Sequence, residues 1–365
     1  MIELGKQLKY FYSGILPRDV DKIPTYQKYN NDFLYSVGVW REKGARGNDD
    51  NKFLQYNTNN MVDSGGYAIQ IGAKTSLPFR ECSEWQLRNG MITFIRDTGV
   101  REDNTLEENK MRAVESYENG LQLIRMKEEM NSKAKIYNVL HGASLKNIDL
   151  WYENLKGLNT DGWSFGSAGS QYNLHILSTQ MVMALYILKH EEDKKHNFHF
   201  FAPTSKEDIA ILLYFIREFE DRIDTVSFDN TSPAKQAVFM GYSFPLFLTA
   251  MNIGKLSKIH GNNLKVKNYE SKPFCGCEGC KGKTFNDIYN TSTEGLPLHN
   301  YIQYIEGIKF IIFTMYNMDD LYNELMTHTE RHRFCKKAID TFKRTGEITN
   351  IPVFAENQVN MEDFI

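Results

Sequence analysis

The chain has 365 residues, of which 41% are hydrophobic, 13% aromatic and 24% charged, proportions that exclude a disordered or coiled-coil chain. The formal charge of −3 excludes a globally basic surface, so a nucleic-acid partner would have to be met by a local patch. The first residues carry no apolar core with a small-residue cleavage site, and no run approaches the roughly eighteen apolar residues of a membrane span; with Cys82 and Cys335 isolated, the expectation is a reduced, cytoplasmic protein.

Short β-branched or aromatic runs alternate with longer helical patterns along the chain. Strands are predicted over 33–39, in the residues leading into Val62, and over 91–96, 136–140, 163–165, 198–201 and 225–228, with an eighth after Tyr242. Helices are predicted over 105–130, 145–158, 179–190 and 206–221. In the last of these Ile209, Leu212, Leu213, Phe215 and Ile216 form a stripe suited to packing on a sheet. Polar loops are read at 44–51 and 57–60. The alternation predicts an α/β fold, a TIM (β/α)8 barrel over residues 1–250, ahead of an open doubly wound sheet. A smaller subdomain over 251–300 and C-terminal helices over 301–365, packing on the barrel, complete the expected order. Residues 298–346 read as two helices, on which His328 and His332 are taken as surface residues sharing one face.

Cys275-Gly276-Cys277-Glu278-Gly279-Cys280 places three of the five cysteines within six residues. Three thiolates this close can meet one zinc ion at about 2.3 Å from each sulfur, with the glycines letting the backbone turn round it. The fourth ligand is read as His299, nineteen residues after Cys280 at the start of an apolar run. A chance cluster of reduced thiols is the plain alternative, and it is uncommon in a chain this poor in cysteine. Four protein ligands leave no position for water, which makes the zinc structural. Round the cluster stand Lys255, Lys258, Lys265, Lys267, Lys272, Lys281 and Lys283 against Glu270 and Glu278. Such a run is a solvated face or, in this position, a track for a phosphate backbone.

In a barrel, chemistry gathers at the C-terminal ends of the strands. The residues there are Asp63, followed by Ser64-Gly65-Gly66-Tyr67; Asp97; His141, followed by Gly142; Gly166-Ser167; and Asp229. Three carboxylates at one rim allow one to act as an ionised nucleophile while another moves protons, and the glycines let a flat ligand lie on bare backbone. Each aspartate alone reads equally as a helix cap or turn former.

In this order the stretches resemble the tRNA-guanine transglycosylase superfamily, whose members exchange a guanine in nucleic acid for a free 7-deazaguanine base on a TIM barrel with a zinc subdomain. Asp63 to Tyr67 match its D-S-G-G-F/Y motif, and Ile95-Arg96-Asp97-Thr98 loosely match a strand-end F-D-E-C. Leu140-His141-Gly142-Ala143 correspond to V-Q-G-G, Gly162 to Ser167 to G-Y-A-I-G-G, and Phe228-Asp229-Asn230-Thr231-Ser232-Pro233 to the nucleophile motif F-D-C-V-x-P-T-R. Cys275, Cys277 and Cys280 followed by His299-Asn300 complete the series.

The resemblance implies Asp229 as the nucleophile at the anomeric carbon and Asp63 as general acid and base. It implies Asp97 as the partner of the base's amidine-like edge, with His141, Gly166, Ser167, Gly65, Gly66 and Tyr67 as the rest of the pocket. A flipped or single-stranded target nucleotide and, by analogy, a homodimer also follow.

Departures are informative. Ser232-Pro233-Ala234-Lys235-Gln236-Ala237 lacks the arginines with which the tRNA enzymes hold the anticodon loop, His141 replaces a Gln, and Ser167 and Ala168 replace Gly and Leu. A retained base pocket with rewritten polynucleotide contacts is similar to the DNA-modifying branch, the 7-deazaguanine DNA transglycosylases. The expectation is base exchange on DNA, with the same chemistry on tRNA as the alternative. A catalytically silent nucleic-acid-binding subunit is a third reading, disfavoured by the presence of both Asp63 and Asp229.

Overall fold

A computed structural model describes residues 6–15, 17–37, 52–65, 77–98, 105–166, 176–231, 233, 242–243, 257–258, 275–284, 287 and 295–351. Strands β1 (Leu8–Tyr12), β2 (Asp32–Ser36), β3 (Asn59–Asp63), β4 (Ile92–Phe94), β5 (Lys135–Leu140), β6 (Gly162–Phe165), β7 (His196–Phe201) and β8 (Ile223–Asn230) form a closed barrel in sequence order. All neighbours are parallel, and β1 closes the ring against β8 with Leu8 opposite Val226 and Tyr12 opposite Asn230. The expected α/β barrel is therefore present, but the strand that completes it is β1. The strand found after Tyr242, β9 (Tyr242–Ser243), instead pairs antiparallel with β10 (Ser257–Lys258) in a separate ribbon.

The helices are α1 (Ile23–Gln27), α2 (Phe79–Asn89), α3 (Leu106–Glu129), α4 (Leu145–Leu155), α5 (Ile176–His190), α6 (Lys206–Glu218), α7 (Leu296–Asn317), α8 (Asp319–Thr327) and α9 (Glu330–Thr345). Local chemistry sets their starts. Thr105 with Glu108 and Ser205 with Asp208 form reciprocal capping boxes on α3 and α6, and Ser144 caps α4. The region read as two helices contains three, because α8 stops at Thr327 and Thr329 caps a new helix by accepting from the His332 amide.

Helices α5 and α6 are buried almost all round, from Leu177 to Leu188 and from Glu207 to Ile216. The reason is a second layer: α9 packs on both, and α7 and α8 pack on α6. Helix α7 also covers the seam where the barrel closes. Tyr301 lies 4.5 Å from the Tyr12 ring and 4.9 Å from Tyr26, and Tyr304 lies 5.0 Å from Tyr10. It thus serves as the eighth barrel helix, and it runs unbroken across residue 300, joining His299 to the C-terminal layer.

His332 is not a surface residue. It is buried, with Nε2 3.1 Å from Asp208 Oδ1, while Asp208 Oδ2 accepts the Thr204 and Ser205 amides at 3.0 Å each. The histidine therefore ties α9 to the cap of α6, whereas His328 is exposed at the end of α8.

Two buried glutamines fix the strand ends that matter below. Gln86 of α2 donates to the Val62 and Phe94 carbonyls at 3.4 and 3.2 Å, and Gln180 of α5 donates to Phe165 and Phe201, both at 2.9 Å. Each amide satisfies carbonyls on two adjacent strands where the ladder ends, so the rim is held by core side chains as well as by loops. No helix among the described residues is long and apolar enough to cross a membrane.

Candidate active site and metal centre

Strand register places the candidate residues on one rim. Asp229 of β8 lies opposite Phe11 of β1 and Phe201 of β7, and Asp63 ends β3 opposite Ser36. His141 and Gly166 follow directly on the paired residues Leu140 and Phe165, and Asp97 lies three residues beyond β4. Asp63, Asp97, His141, Gly166 and Asp229 are thus brought together at the C-terminal mouth.

Asp229 is held from several sides. Its Oδ2 accepts from Ser13 Oγ at 3.2 Å, and its backbone carbonyl accepts from the Ala202 amide at 3.1 Å. Ala202 sits at φ +66°, a left-handed conformation costing a non-glycine residue about 1 kcal/mol, at the point where the chain leaves β7. The next residue, Asn230, is buried and donates to Pro203 O at 3.1 Å and to the Tyr304 hydroxyl at 2.6 Å. Asn300 adds a bond to Pro233 O at 3.2 Å. Helix α7 therefore grips the stretch after Asp229 on both sides of Thr231.

Asp63 has a different environment. Burial pushes its carboxyl up to about 7, and the nearby Asp97 and Asp229 push the same way, while the Gly65 amide, donating to Oδ2 at 2.9 Å, pulls against them. Gly65 has φ +82°, a left-handed conformation that a residue without a Cβ adopts at little cost, and it turns the chain away just past Asp63. A carboxyl poised near neutrality can give and take a proton at ordinary pH.

Asp97 and His141 form a pair, Nε2 to Oδ2 at 2.6 Å, with the His141 ring 4.7 Å from that of Trp151. His141 is 4% exposed and its Nδ1 has no hydrogen-bond partner among the described residues. Gly166 must be glycine for this ring to fit: a Cβ there would stand 2.1 Å from His141 Cε1.

Two rim residues were not singled out from sequence. Ser13 lies just past the overlooked strand β1. His199 lies inside β7, fully buried, with Nδ1 2.9 Å from Ser227 Oγ and Nε2 3.5 Å from Asp229 Oδ1. Its only sequence trace is a histidine between phenylalanines at an inward-facing position of a strand.

At the metal centre, the ligand atoms of Cys275, Cys277, Cys280 and His299 all lie within 4.8 Å of one another. His299 Nδ1 is 3.4 Å from Cys277 Sγ and 3.2 Å from Cys280 Sγ. Ligands about 2.0 and 2.3 Å from a tetrahedral zinc stand roughly 3.5 Å apart, so the donor set and its spacing fit that ion. Cys280 beside it, and then His299, draw the Cys277 thiol down toward its anionic form. The turn is anchored from outside by Glu278, which accepts from Lys28 Nζ at 2.5 Å and from the Tyr29 hydroxyl at 3.1 Å.

Gly66, Tyr67, Ser167, Lys255, Lys265 and Lys267 lie outside the described residues. Lys258 stands on β10, Lys281 is exposed and Lys283 is partly buried. In comparison with known proteins, the chain matches no family model and no curated protein.

Proposed function

We propose that the protein is a base-exchange transglycosylase that replaces guanine in nucleic acid, with DNA favoured over tRNA, by a free 7-deazaguanine base. The observation that carries this reading is the gathering of Asp229 and Asp63 at one barrel mouth, with burial holding Asp63 near neutrality. Two carboxyl groups in unlike surroundings are what a retaining displacement at an anomeric carbon requires. The motif resemblance supports the choice of a purine as leaving group, and the missing arginines after Asp229 support DNA.

In this mechanism Asp229 attacks C1′ of the target nucleotide. The bond from C1′ to the guanine nitrogen breaks as the bond from C1′ to the carboxylate oxygen forms, and Asp63 gives its proton to the departing base. The incoming deazaguanine then loses its ring N–H proton to Asp63, and its nitrogen displaces Asp229 from C1′. Both carboxyl groups end as they began. Asp97, with one oxygen on His141, keeps the other for the amidine-like edge, and Gly166, having no side chain, makes room for the His141 ring that holds Asp97. Cys275, Cys277, Cys280 and His299 would hold a zinc ion whose role is to fix the start of α7.

The test is incubation of the full chain with labelled guanine or a 7-deazaguanine and, separately, duplex DNA, single-stranded DNA and tRNA. Label is expected in DNA, together with a trappable protein–nucleic acid adduct. In Asp229→Ala, incorporation should fall by roughly 10³-fold or more and the adduct should vanish, with the fold intact. Incorporation into tRNA alone would move the substrate to tRNA, and incorporation into neither would overturn the reading.

A further inference from the structure

The chemistry above leaves a buried imidazole without a task. His199 stands at the floor of the site among rings, 4.6 Å from Phe201, 5.1 Å from Phe94 and 6.5 Å from Phe11. Its Nε2 and Asp229 Oδ1 are 3.5 Å apart, and neither atom has a hydrogen-bond partner among the described residues. Two such atoms, both buried and facing each other, are costly unless a proton lies between them. A charged or polar link that is long in the free protein commonly tightens when substrate closes on it.

We infer that His199 is a positioning residue for Asp229: its Nε2–H donates to Oδ1, pinning that oxygen to the barrel floor and leaving Oδ2, beside Ser13, as the oxygen that attacks. The inference rests on the reading of Asp229 as nucleophile. Ser227 makes the assignment of the proton specific. Its Oγ is 2.9 Å from His199 Nδ1 and 3.1 Å from Phe198 O, and it has one proton for the two. If Ser227 donates to Nδ1, the neutral ring carries its proton on Nε2. If Ser227 donates to Phe198 O, Nδ1 must carry a proton to meet Oγ, and Nε2 would then turn a bare lone pair on a carboxylate oxygen unless it is protonated as well. In the first arrangement the neutral ring has its N–H at Nε2; in the second only the doubly protonated ring does.

The link acts in both half-reactions. When Oδ2 bonds to C1′, Oδ1 becomes the carbonyl oxygen of a glycosyl ester and stays on the Nε2–H. When the incoming base displaces the ester, the electron pair of the C1′–Oδ2 bond returns to the carboxylate and spreads onto Oδ1, where the same N–H receives it.

The experiment uses full-length protein labelled with ¹⁵N-histidine, with exchange kinetics on the same preparations. The His199 ring signals, identified by their loss in His199→Gln, are expected to show the proton on Nε2 and to move in Asp229→Ala. His199→Phe is expected to lower kcat about 100-fold with KM for the base changed less than about twofold, because the contact matters to the reacting oxygen and not to base binding. His199→Gln, whose side-chain amide can donate from nearly the same place, should recover most of the loss. A ring protonated on Nδ1 alone, a ring spectrum indifferent to Asp229→Ala, or an unchanged kcat in His199→Phe would each overturn the inference. Should wild type exchange no base into any polymer, the transglycosylase reading falls by itself, and the ring spectrum still decides the pairing, including where His199→Phe does not fold.

Discussion

At the Cys3His cluster each donor atom faces the others, the turn that carries them is bonded through Glu278 to Lys28 and Tyr29, just past α1, and the histidine sits on a helix that covers the barrel seam. At the carboxylate rim the pattern is reversed. His141 Nδ1 is buried without a hydrogen-bond partner among the described residues, Asp229 Oδ1 and His199 Nε2 face each other only across 3.5 Å, Asp63 is held by burial far from its ordinary ionisation, and Ala202 is left-handed. Each unmet buried group costs about 1–3 kcal/mol. With a metal bound the cluster would be a closed arrangement that adds stability, whereas the rim is an open one that gives stability up, as a site built to meet a ligand would.

Cutting each region should therefore move stability in opposite directions. The largest effect is expected at the closed site. Cys277→Ala should abolish stoichiometric zinc binding, measured by metal analysis, and lower the thermal midpoint by roughly 5 °C or more, as should chelation of the wild type. A full-stability Cys277→Ala protein would remove the contrast.

The open site should respond the other way. Asp63→Asn is expected to suppress base exchange yet raise the thermal midpoint by about 1–3 °C above pH 7. The sign follows from the raised carboxyl: from about pH 4 upward the unfolded chain ionises Asp63 while the fold keeps it protonated, so wild-type stability falls up to about pH 7 and the loss is constant beyond. The gain in the variant should thus be absent near pH 4 and level off above 7, and a difference independent of pH would sink the assignment. The smallest effect is expected at the exposed tether. Lys28 and Glu278 are 58% and 39% exposed, so Lys28→Ala should cost less than about 0.5 kcal/mol by denaturant unfolding, and a larger loss would mean the closed site depends on its surface anchor.

Much of the barrel could be read from the chain because the runs of β2 to β8 alternate with longer helical patterns, of which α3, α4 and α6 open on clear caps. What was not legible had physical causes. The β1 segment, Leu-Lys-Tyr-Phe-Tyr, is buried at all but one position, so it lacks the alternation that marks a half-exposed strand. Helix α2 keeps its buried face partly polar, through Ser83, Gln86 and Asn89, and the pattern of apolar residues alone passes over it. His332 had a signal, since 332, 335, 338, 339 and 342 fall on one face of α9, all buried; the break between α8 and α9 hid it. The candidate metal ligands were legible because three lie within six residues and the fourth lies in the first turn of a helix. The rim was legible only as separate strand-end residues. Which of them meet, and that Ser13 and His199 join Asp229, is set by register between strands more than two hundred residues apart for Ser13 and by the inward face of β7 for His199.

That separation has a consequence during synthesis. Ser13 and Asp229 are 216 residues apart, and β1 can take its place beside β8 only after β8 has been made. At typical ribosomal speeds of about 5–20 residues per second, β1 waits roughly ten to forty seconds with one edge unpaired, and α7, which seals that edge with Tyr301 and Tyr304, emerges later still. The seam beside the proposed nucleophile is thus the last part of the barrel to form on the nascent chain.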